Sequence, residues 1–304
     1  MSADVSSLAA WRASAQDFVC EGRTLKFWTD GAESAPALLL IHGFPTSSWD
    51  WRRVWSALAA RYRVIAMDML GFGLSDKPLA EYLLTKQADD YEALLAHLGV
   101  NEAHVLAHDY GDTVAQELLA RTNEGSAKAA FRSFVFLNGG LIPGEHRPRL
   151  IQTLLASPFG FLVTRLMSER SFSKSFREVF GPDSQPSAQD LAEDWSLIAE
   201  NAGNLRMHQL IDYMRQRILN YDRWVGALKE ARVPLRLIDG ALDPVSGEHL
   251  YKAYMETVPD ADGVLLPTVG HYPQLEDAAA VLAGFFEFHQ MHFPKPADGS
   301  EAHG

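Results

Sequence analysis

Cysteine and basic residues are scarce in this sequence. Cys20 is the only cysteine among 304 residues, so the chain forms no internal disulfide and offers no cysteine cluster for a structural zinc site. Lysine and arginine together number 27 against 39 aspartates and glutamates, which gives a formal net charge of −12. Because nucleic-acid affinity depends on clustered basic groups, this acidic balance argues against nucleic acid as a partner.

Long hydrophobic runs are absent as well. Residues 1–15 do not combine a basic start with an apolar core, so no secretory signal is predicted. The least polar stretch, 150–164, is interrupted by Gln152, Pro158 and Gly160, and it falls short of the roughly 20 apolar residues that span a bilayer. We therefore expect a cytoplasmic protein with no transmembrane segment, and the sequence leaves its oligomeric state open.

Short apolar runs alternate along the chain with segments of helical periodicity, such as that of Trp51, Val54, Trp55 and Leu58. Continuous apolarity predicts strands that are covered on both faces. The alternation predicts an α/β fold with a mostly parallel, doubly wound sheet, whose ligands bind at the carboxyl ends of the strands. The predicted strands cover residues 37–41, 63–67, 104–107, 134–137, 235–238 and 263–266.

The alternation stops between residues 141 and 227, where helical patterns dominate. Helices inserted at the carboxyl edge of the sheet would cover the ligand site, so we interpret residues 141–227 as a helical cap. The host core domain then consists of residues 16–140 and 228–291. The polar segment 292–304, which holds two prolines and two glycines, is expected to be a disordered tail.

Three candidate catalytic side chains follow predicted strands: Asp109, Asp243 and His271. Nucleophile, acid and histidine occur in this order in strand–turn–helix hydrolases. Ala107 and Gly111 flank Asp109, and small residues at these places suit the sharp turn of such a nucleophile. A carboxylate is unsuited to acyl transfer by the serine route, but it can attack carbon and form an alkyl-enzyme ester. Asp109 alone is equally plausible as a helix N-cap, whereas its combination with the other two residues favours catalysis.

Several motifs carry a resemblance to a known family. HGFPTSSWDWR (42–52), DMLGFGLSDKP (68–78), HDYGD (108–112), GALDP (240–244) and GHYPQLED (270–277) resemble motifs of α/β-hydrolases of the epoxide hydrolase and haloalkane dehalogenase branch. More closely, HDYGDTVAQELL, NGGLIPGEHRP and RWVGAL resemble the mesoderm-specific transcript protein group. The resemblance implies an α/β-hydrolase fold with an inserted helical cap.

The resemblance also implies a role for each site residue. Asp109 would be the nucleophile, His271 the base that activates water, and Asp243 the acid that orients His271. The backbone N–H groups of Phe44 and Tyr110 would hold the oxyanion that forms when water attacks the ester carbonyl. The family's alternative position for the acid, after the strand at 134–137, holds Asn138, which orients a histidine more weakly. No cofactor and no metal are implied, and the expected partners are a small apolar organic substrate and water.

The leaving-group side of the site distinguishes two activities within this branch. Dehalogenases hold the halide with side-chain N–H donors, and Phe44 and Tyr110 carry none at the matching positions. Epoxide hydrolases use cap tyrosines, for which Tyr213 is the candidate proton donor and Tyr221 the alternate. We therefore expect an epoxide hydrolase acting on a small to medium apolar epoxide, with haloalkane dehalogenase as the alternative. A non-catalytic ligand-binding protein on the same scaffold is the alternative from another class.

Further residues are candidates for the substrate pocket and for the second proton donor. The first half of the predicted cap, residues 141–180, contains no tyrosine, so His146 or a water would have to supply a second donor. His104 and His108 lie about 13 Å apart on one strand and cannot share a metal ion. The candidate pocket residues are His42, Pro45, Trp49, His108, Tyr221 and Tyr272.

Overall fold

A single sheet positions the ends of the predicted strands along one edge. The computed structural model describes residues 2–294, and the sheet within them has eight strands in the order β1-β2-β4-β3-β5-β6-β7-β8. All pairs from β4 to β8 are parallel, whereas β2 runs antiparallel to both β1 and β4. The strands are β1 (Gln16–Cys20), β2 (Arg23–Asp30), β3 (Ala37–Ile41), β4 (Arg63–Asp68), β5 (Glu102–His108), β6 (Ala130–Leu137), β7 (Leu235–Gly240) and β8 (Gly263–Leu266).

The central strands coincide with the apolar runs of the sequence. β3 is buried along its whole length and pairs with β4 on one side and β5 on the other. The sequence analysis missed β1 and β2, because QDFVC and RTLKFWTD mix buried and partly exposed residues. Such mixing is typical of antiparallel strands near an edge, where one face meets solvent. The predicted mostly parallel sheet is confirmed.

Helices cover both faces of the sheet, as a doubly wound fold requires. One hydrophobic cluster packs α3 and α4 against the sheet, and a second packs α1, α2 and α14 against the other face. The helices are α1 (Leu8–Ala13), α2 (Trp55–Ala59), α3 (Leu84–His97), α4 (Tyr110–Glu124), α5 (Leu150–Leu155), α6 (Gly160–Leu166), α7 (Glu169–Arg177), α8 (Ala188–Ala199), α9 (Met207–Leu210), α10 (Tyr213–Leu219), α11 (Tyr221–Lys229), α12 (Glu248–Thr257), α13 (Pro273–Glu276) and α14 (Ala278–His292), with 3-10 helices at Ser48–Arg53 and Glu200–Arg206.

Helices α5 to α11 form an insertion between β6 and β7. The last of them, α11, packs on α4, where Trp224 Nε1 donates a hydrogen bond of 2.8 Å to the Glu117 carboxylate. Arg223 forms an ion pair with the same carboxylate at 2.7 Å. The predicted cap boundary at residue 227 therefore falls inside a helix that packs against the sheet layer.

Two expectations concern possible membrane segments and the end of the chain. Across residues 2–294, no helix is both long enough and apolar enough to cross a membrane. Helix α14 continues to His292, which is the residue where the predicted tail begins. From residue 295 onward, that predicted tail lies outside the described residues.

Candidate active site

Asp109 lies in the turn between β5 and α4, at the carboxyl edge of the sheet. Its backbone angles are φ 47° and ψ −106°, a strained combination for a residue with a side chain, and such strain is concentrated at functional sites. The turn requires Gly111, because a Cβ there would lie 2.3 Å from the Ile41 carbonyl oxygen. Gly43 is equally constrained, since its Cβ would lie 2.7 Å from the His108 ring. The small residues around Asp109 thus have a steric cause.

The backbone N–H groups of Phe44 and Tyr110 lie next to the buried Asp109 residue. The Phe44 N–H donates a hydrogen bond of 3.1 Å to Asp109 Oδ2. Tyr110 is the first residue of α4, and N–H groups at a helix start have no acceptor within the helix. These are the two amides predicted to hold an oxyanion, and that role stays a prediction.

His271 and Asp243 are joined by a short hydrogen bond of 2.6 Å between Nδ1 and Oδ2. Three further groups donate to the Asp243 carboxylate: the Val245 N–H, the Ser246 hydroxyl and the Asn138 side-chain amide. Asn138, considered above as a weaker alternative to Asp243, is thus a donor to it. The fixed carboxylate keeps the proton of a neutral His271 on Nδ1, so that Nε2 can accept a proton.

Charges around His271 raise its pKa. Burial by itself would lower the value, but the carboxylates of Asp243 and Asp109 raise the pKa of His271 to about 9. Burial opposes the ionised form of Asp243 too, yet His271 and the donors around the carboxylate hold the pKa of Asp243 below its usual value. At neutral pH the unliganded site therefore favours a protonated His271 beside an ionised Asp243.

The raised pKa of His271 makes stability depend on pH. Histidine has a pKa near 6.5 in unfolded chains, so the folded chain binds an additional proton between about 6.5 and about 9. This contribution, about 3 kcal/mol at most, is fully present below pH 6.5 and is lost as the pH rises through about 9. We expect the free energy of unfolding, measured with urea at both ends of this interval, to fall more in wild type than in His271→Gln. Equal falls would contradict the assigned ion pair.

A mostly apolar cavity lies against Asp109 and His271. Phe44, Pro45 and Tyr272 contribute to its walls from the sheet layer. Pro45 and Tyr272 are two of the residues predicted for the substrate pocket, and that role stays a prediction. The insertion supplies most of the opposite wall, including Leu155, Phe172 and Phe176 from α5 and α7 and the polar side chains of Arg149, Gln152 and Ser175. An apolar cavity with a few convergent polar groups suits a small organic molecule.

His42 and His108 lie behind the site instead of lining the cavity, which corrects their predicted place in the pocket. His42 is fully buried, accepts a hydrogen bond from the Met69 N–H and donates one to the Gly43 carbonyl. His108 donates a hydrogen bond of 2.8 Å from Nε2 to the His271 carbonyl oxygen. Both imidazoles are bonded to backbone groups of the loops that carry the site, so their role is to hold these loops.

Trp49 and Tyr221 also lie away from the cavity, a second correction to the predicted pocket. Trp49 is buried among the tryptophans of the sheet's other face, with its ring centroid 5.6 Å from that of Trp11, and its Nε1 donates to Glu193 at 3.1 Å. Tyr221 begins α11, where its side chain is 39% exposed. Trp49 is thus part of the hydrophobic packing on that face of the sheet, whereas Tyr221 faces solvent.

Tyr213 packs beside the Asp109 turn, with its ring centroid 5.8 Å from that of Phe44 and 5.3 Å from that of Tyr110. Its hydroxyl accepts a hydrogen bond of 3.2 Å from Gln152 Nε2. Gln152 contacts the cavity, whereas Tyr213 is set behind it. Burial and the Asp109 charge raise the pKa of Tyr213, so its hydroxyl keeps a proton to donate. The sequence analysis did not assign Gln152 to the site.

Arg217 is a second residue of the site that the sequence analysis missed. Its guanidinium is buried and donates to the Asp109 carbonyl oxygen at 2.9 Å and to the Thr113 hydroxyl at 2.7 Å. It lies 3.7 Å from Asp109 Oδ1 and 4.5 Å from the centroid of the Tyr213 ring. A Cβ at Gly140 would lie 2.3 Å from Arg217 Nη1. The consecutive glycines at 139–140 were thus the available signal that another group approaches here.

His146, the predicted substitute for a second proton donor, does not line the cavity. The charges of Arg217 and Asp109 nevertheless affect its pKa. Burial, followed by the Arg217 charge, lowers the pKa of His146 to about 4, so its ring is neutral at pH 7. Within residues 2–294, no three His, Cys, Asp or Glu side chains are grouped so that they could hold a metal ion.

The doubly wound sheet and the strained turn define an α/β-hydrolase. A family model described as "Alpha/beta hydrolase family" matches residues 38–284. The chain therefore belongs to the alpha/beta hydrolase family.

Curated relatives extend over most of the chain. The mesoderm-specific transcript homolog protein of Homo sapiens is 41% identical over 294 residues, which cover 93% of this chain and 88% of that protein. The putative hydrolase LipZ of Mycobacterium tuberculosis is 40% identical over 251 residues, 82% of this chain and 87% of that protein. These similarities confirm the resemblance drawn from the motifs.

Solved structures share the fold at lower identity. A haloalkane dehalogenase, DbeA from Bradyrhizobium elkani, matches with a TM-score of 0.75 and 22% identity over 90% of this chain and 97% of that chain. The epoxide hydrolase CorEH matches with a TM-score of 0.74 and 21% identity over 91% and 98%. At this identity the likeness establishes the fold, and the chemistry has to be argued from the side chains.

Proposed function

We propose that this protein is a hydrolase in which Asp109 attacks a carbon atom of a small to medium apolar epoxide and forms an alkyl-enzyme ester. The observation that carries the proposal is the Asp109 carboxylate on its strained turn, facing the same cavity as His271. A hydroxyl at this turn would begin acyl transfer, whereas a carboxylate begins displacement at carbon. The hydrolase name of one relative and the family support a hydrolase, without bearing on the nucleophile.

The first step opens the epoxide ring. An Asp109 oxygen forms a bond to a ring carbon while the bond between that carbon and the ring oxygen breaks. The ring oxygen then takes the proton of the Tyr213 hydroxyl, for which the Tyr213 side chain has to turn past Gln152 toward the cavity. Gln152 supports this transfer, because its Nε2 carries two hydrogens, of which one is donated to Tyr213 and the other is available to a ligand in the cavity.

The second step hydrolyses the ester. Alkylation removes the negative charge of Asp109, which is one of the charges that raise the pKa of His271. The pKa of His271 therefore falls once the ester has formed, and the neutral imidazole, the form that can accept a proton, is favoured. His271 takes a proton from water, and the resulting hydroxide attacks the ester carbonyl. The Phe44 and Tyr110 amides stabilise the oxyanion. When it collapses, the bond to the diol oxygen breaks and the leaving alkoxide takes the proton held by His271. The new carboxylic acid of Asp109 gives its proton back to the Tyr213 phenolate, which restores the starting protonation states.

The insertion between β6 and β7 acts in this proposal as the predicted cap. Its helices α5 and α7 supply the wall of the cavity opposite Asp109, including Leu155 and Phe176. Apolar walls limit the water around the reacting carboxylate and so strengthen its electrostatic interactions. The same walls favour apolar substrates.

The side chains along the cavity favour an epoxide over a haloalkane. No tryptophan lines the cavity within the described chain, and Gln152 is its only side-chain amide. Trp49, a predicted pocket residue, directs its Nε1 to Glu193. Apart from His271, the cavity's side-chain N–H donors are those of Gln152 and Arg149. Gln152 donates to Tyr213, and Arg149 is paired with Glu178. A departing halide would therefore compete with these partners, whereas the protonated Tyr213 hydroxyl serves an epoxide oxygen.

A Tyr213→Phe variant tests the assignment of the proton donor. We expect it to lower kcat on epoxides by roughly a hundredfold, the usual contribution of a general acid. Tyr221→Phe is the matched control, because Tyr221 is the next tyrosine in the sequence and its side chain is exposed to solvent, away from the Asp109 turn. Initial rates on a panel of apolar epoxides and haloalkanes measure both variants.

Two outcomes of this panel would overturn parts of the proposal. Equal epoxide rates in Tyr213→Phe and Tyr221→Phe would remove Tyr213 from the reaction. Halide release by wild type without any turnover of epoxides would replace the epoxide hydrolase by the haloalkane dehalogenase.

A further inference from the structure

Helices α5 and α6 expose large apolar side chains to solvent. Leu166 is 83% exposed, Leu150 75% and Phe159 66%. Monomeric soluble proteins rarely leave such side chains together on their surface unless the patch binds a partner. We name this surface the α5–α6 apolar face, and its members are Leu150, Leu154, Phe159, Phe161, Leu162 and Leu166.

The same helix α5 forms part of the cavity wall. Ile151, Gln152 and Leu155 line the cavity from its inner side, while Leu150 and Leu154 point outward into solvent. The thickness of the single helix α5 therefore separates the apolar cavity from the α5–α6 apolar face. An apolar compound held against that face would be next to the site.

The segment that carries the α5–α6 apolar face differs in charge from the whole chain. Residues 141–180 contain six lysines and arginines against three aspartates and glutamates, in a protein whose net charge is −12. Arg165 lies beside the face, with its guanidinium 5.8 Å from the centroid of the Phe161 ring. Exposed apolar side chains with basic neighbours are typical of segments that lie in a lipid interface.

We propose that the α5–α6 apolar face docks on an anionic lipid surface. The basic neighbours complement anionic headgroups, which the acidic remainder of the protein would otherwise repel. A second copy of this chain fits less well, because a symmetric contact would bring the same basic residues together. Docking does not depend on the chemistry of Asp109. The consequence that an apolar epoxide enters the cavity from lipid does rest on the function proposed above.

Vesicle flotation with the full chain tests the docking. Wild type is expected to float with vesicles of three parts phosphatidylcholine to one part phosphatidylglycerol. Leu150→Gln/Leu166→Gln should reduce the bound fraction by roughly tenfold or more, because each change withdraws a large apolar side chain from the interface. Leu79→Gln is the matched control, since Leu79 is 77% exposed outside the insertion, and it should bind as wild type does.

Charge and catalysis are separated by two further variants. Arg165→Glu, raised salt, or vesicles of phosphatidylcholine alone should each weaken binding, because the electrostatic attraction is then removed or screened. Asp109→Asn should bind like wild type, so failure of the proposed reaction would leave docking intact. The proposal is overturned if wild type stays unbound, if the double variant binds as wild type does, or if the face instead joins two copies in a dimer that the double variant loses.

Discussion

Asp109→Asn is expected to abolish epoxide turnover, with kcat lowered by at least about a thousandfold. The amide has almost the same shape as the carboxylate, but it lacks the negative charge that displaces the ring oxygen from carbon. The fold should persist, because asparagine tolerates the positive φ of 47° at this position. Saturating rates of epoxide loss, measured on protein whose thermal unfolding is unchanged, give the effect.

Asp239→Asn provides the matched control. Asp239 is a second buried aspartate at the same sheet edge, its two oxygens have no hydrogen-bond partner, and it does not line the cavity. Burial, aided by the Asp243 charge, raises the pKa of Asp239 well above its usual value, so the fold holds a neutral acid that asparagine imitates. Turnover by this variant should remain close to that of wild type.

Two different results would contradict the proposal, one about the nucleophile and one about catalysis itself. Wild-type rates in Asp109→Asn would exclude Asp109 as the nucleophile. Unchanged ligand binding and biological output in Asp109→Asn, with no turnover by wild type, would favour a non-catalytic ligand-binding protein on this scaffold.

Arg217→Met is expected to impair both stability and turnover. The change leaves the Asp109 carbonyl and the Thr113 hydroxyl without their buried donor, and it removes the cation 3.7 Å from Asp109 Oδ1. Removing one partner of a buried ion pair costs about 3 kcal/mol or more. We expect this loss in the free energy of unfolding, and a fall in kcat of roughly a hundredfold because the carboxylate is no longer held toward the ring carbon.

Arg217→Lys separates positioning from stability. Lysine keeps the charge but cannot bond Asp109 and Thr113 together as the planar guanidinium does, so it should restore part of the stability and less of the rate. The measurement is kcat per folded molecule, at a temperature where all three proteins remain folded. An unchanged kcat in Arg217→Met under these conditions would reduce Arg217 to a structural role.

The edge on which Asp109, Asp243 and His271 meet is predictable from the sequence. Each follows a continuous apolar run, and parallel strands bring their carboxyl ends to one side of the sheet. The small residues around Asp109 reflect close contacts, such as that of Gly111 with the Ile41 carbonyl. The strand order and these local contacts therefore largely fix where Asp109, Asp243 and His271 lie.

The residues contributed by the insertion were not predictable in the same way. Arg215 and Arg217 are two residues apart on α10, yet Arg215 is exposed and paired with Asp212 while Arg217 is buried against Asp109. Helical periodicity indicates that they lie on different faces, but not which face meets the sheet layer. Gln152 likewise enters the site only through the packing of α5, which no local motif specifies.

A single turnover in heavy-oxygen water tests the ester most directly. In the proposed route water attacks the carbonyl carbon of the ester, so the first heavy oxygen should appear in the Asp109 side chain, located by mass spectrometry of its peptide. The diol from that turnover should carry the ordinary oxygen that Asp109 gave up. A labelled first diol beside an unlabelled Asp109 would mean that water attacks the epoxide itself, and it would contradict the central claim.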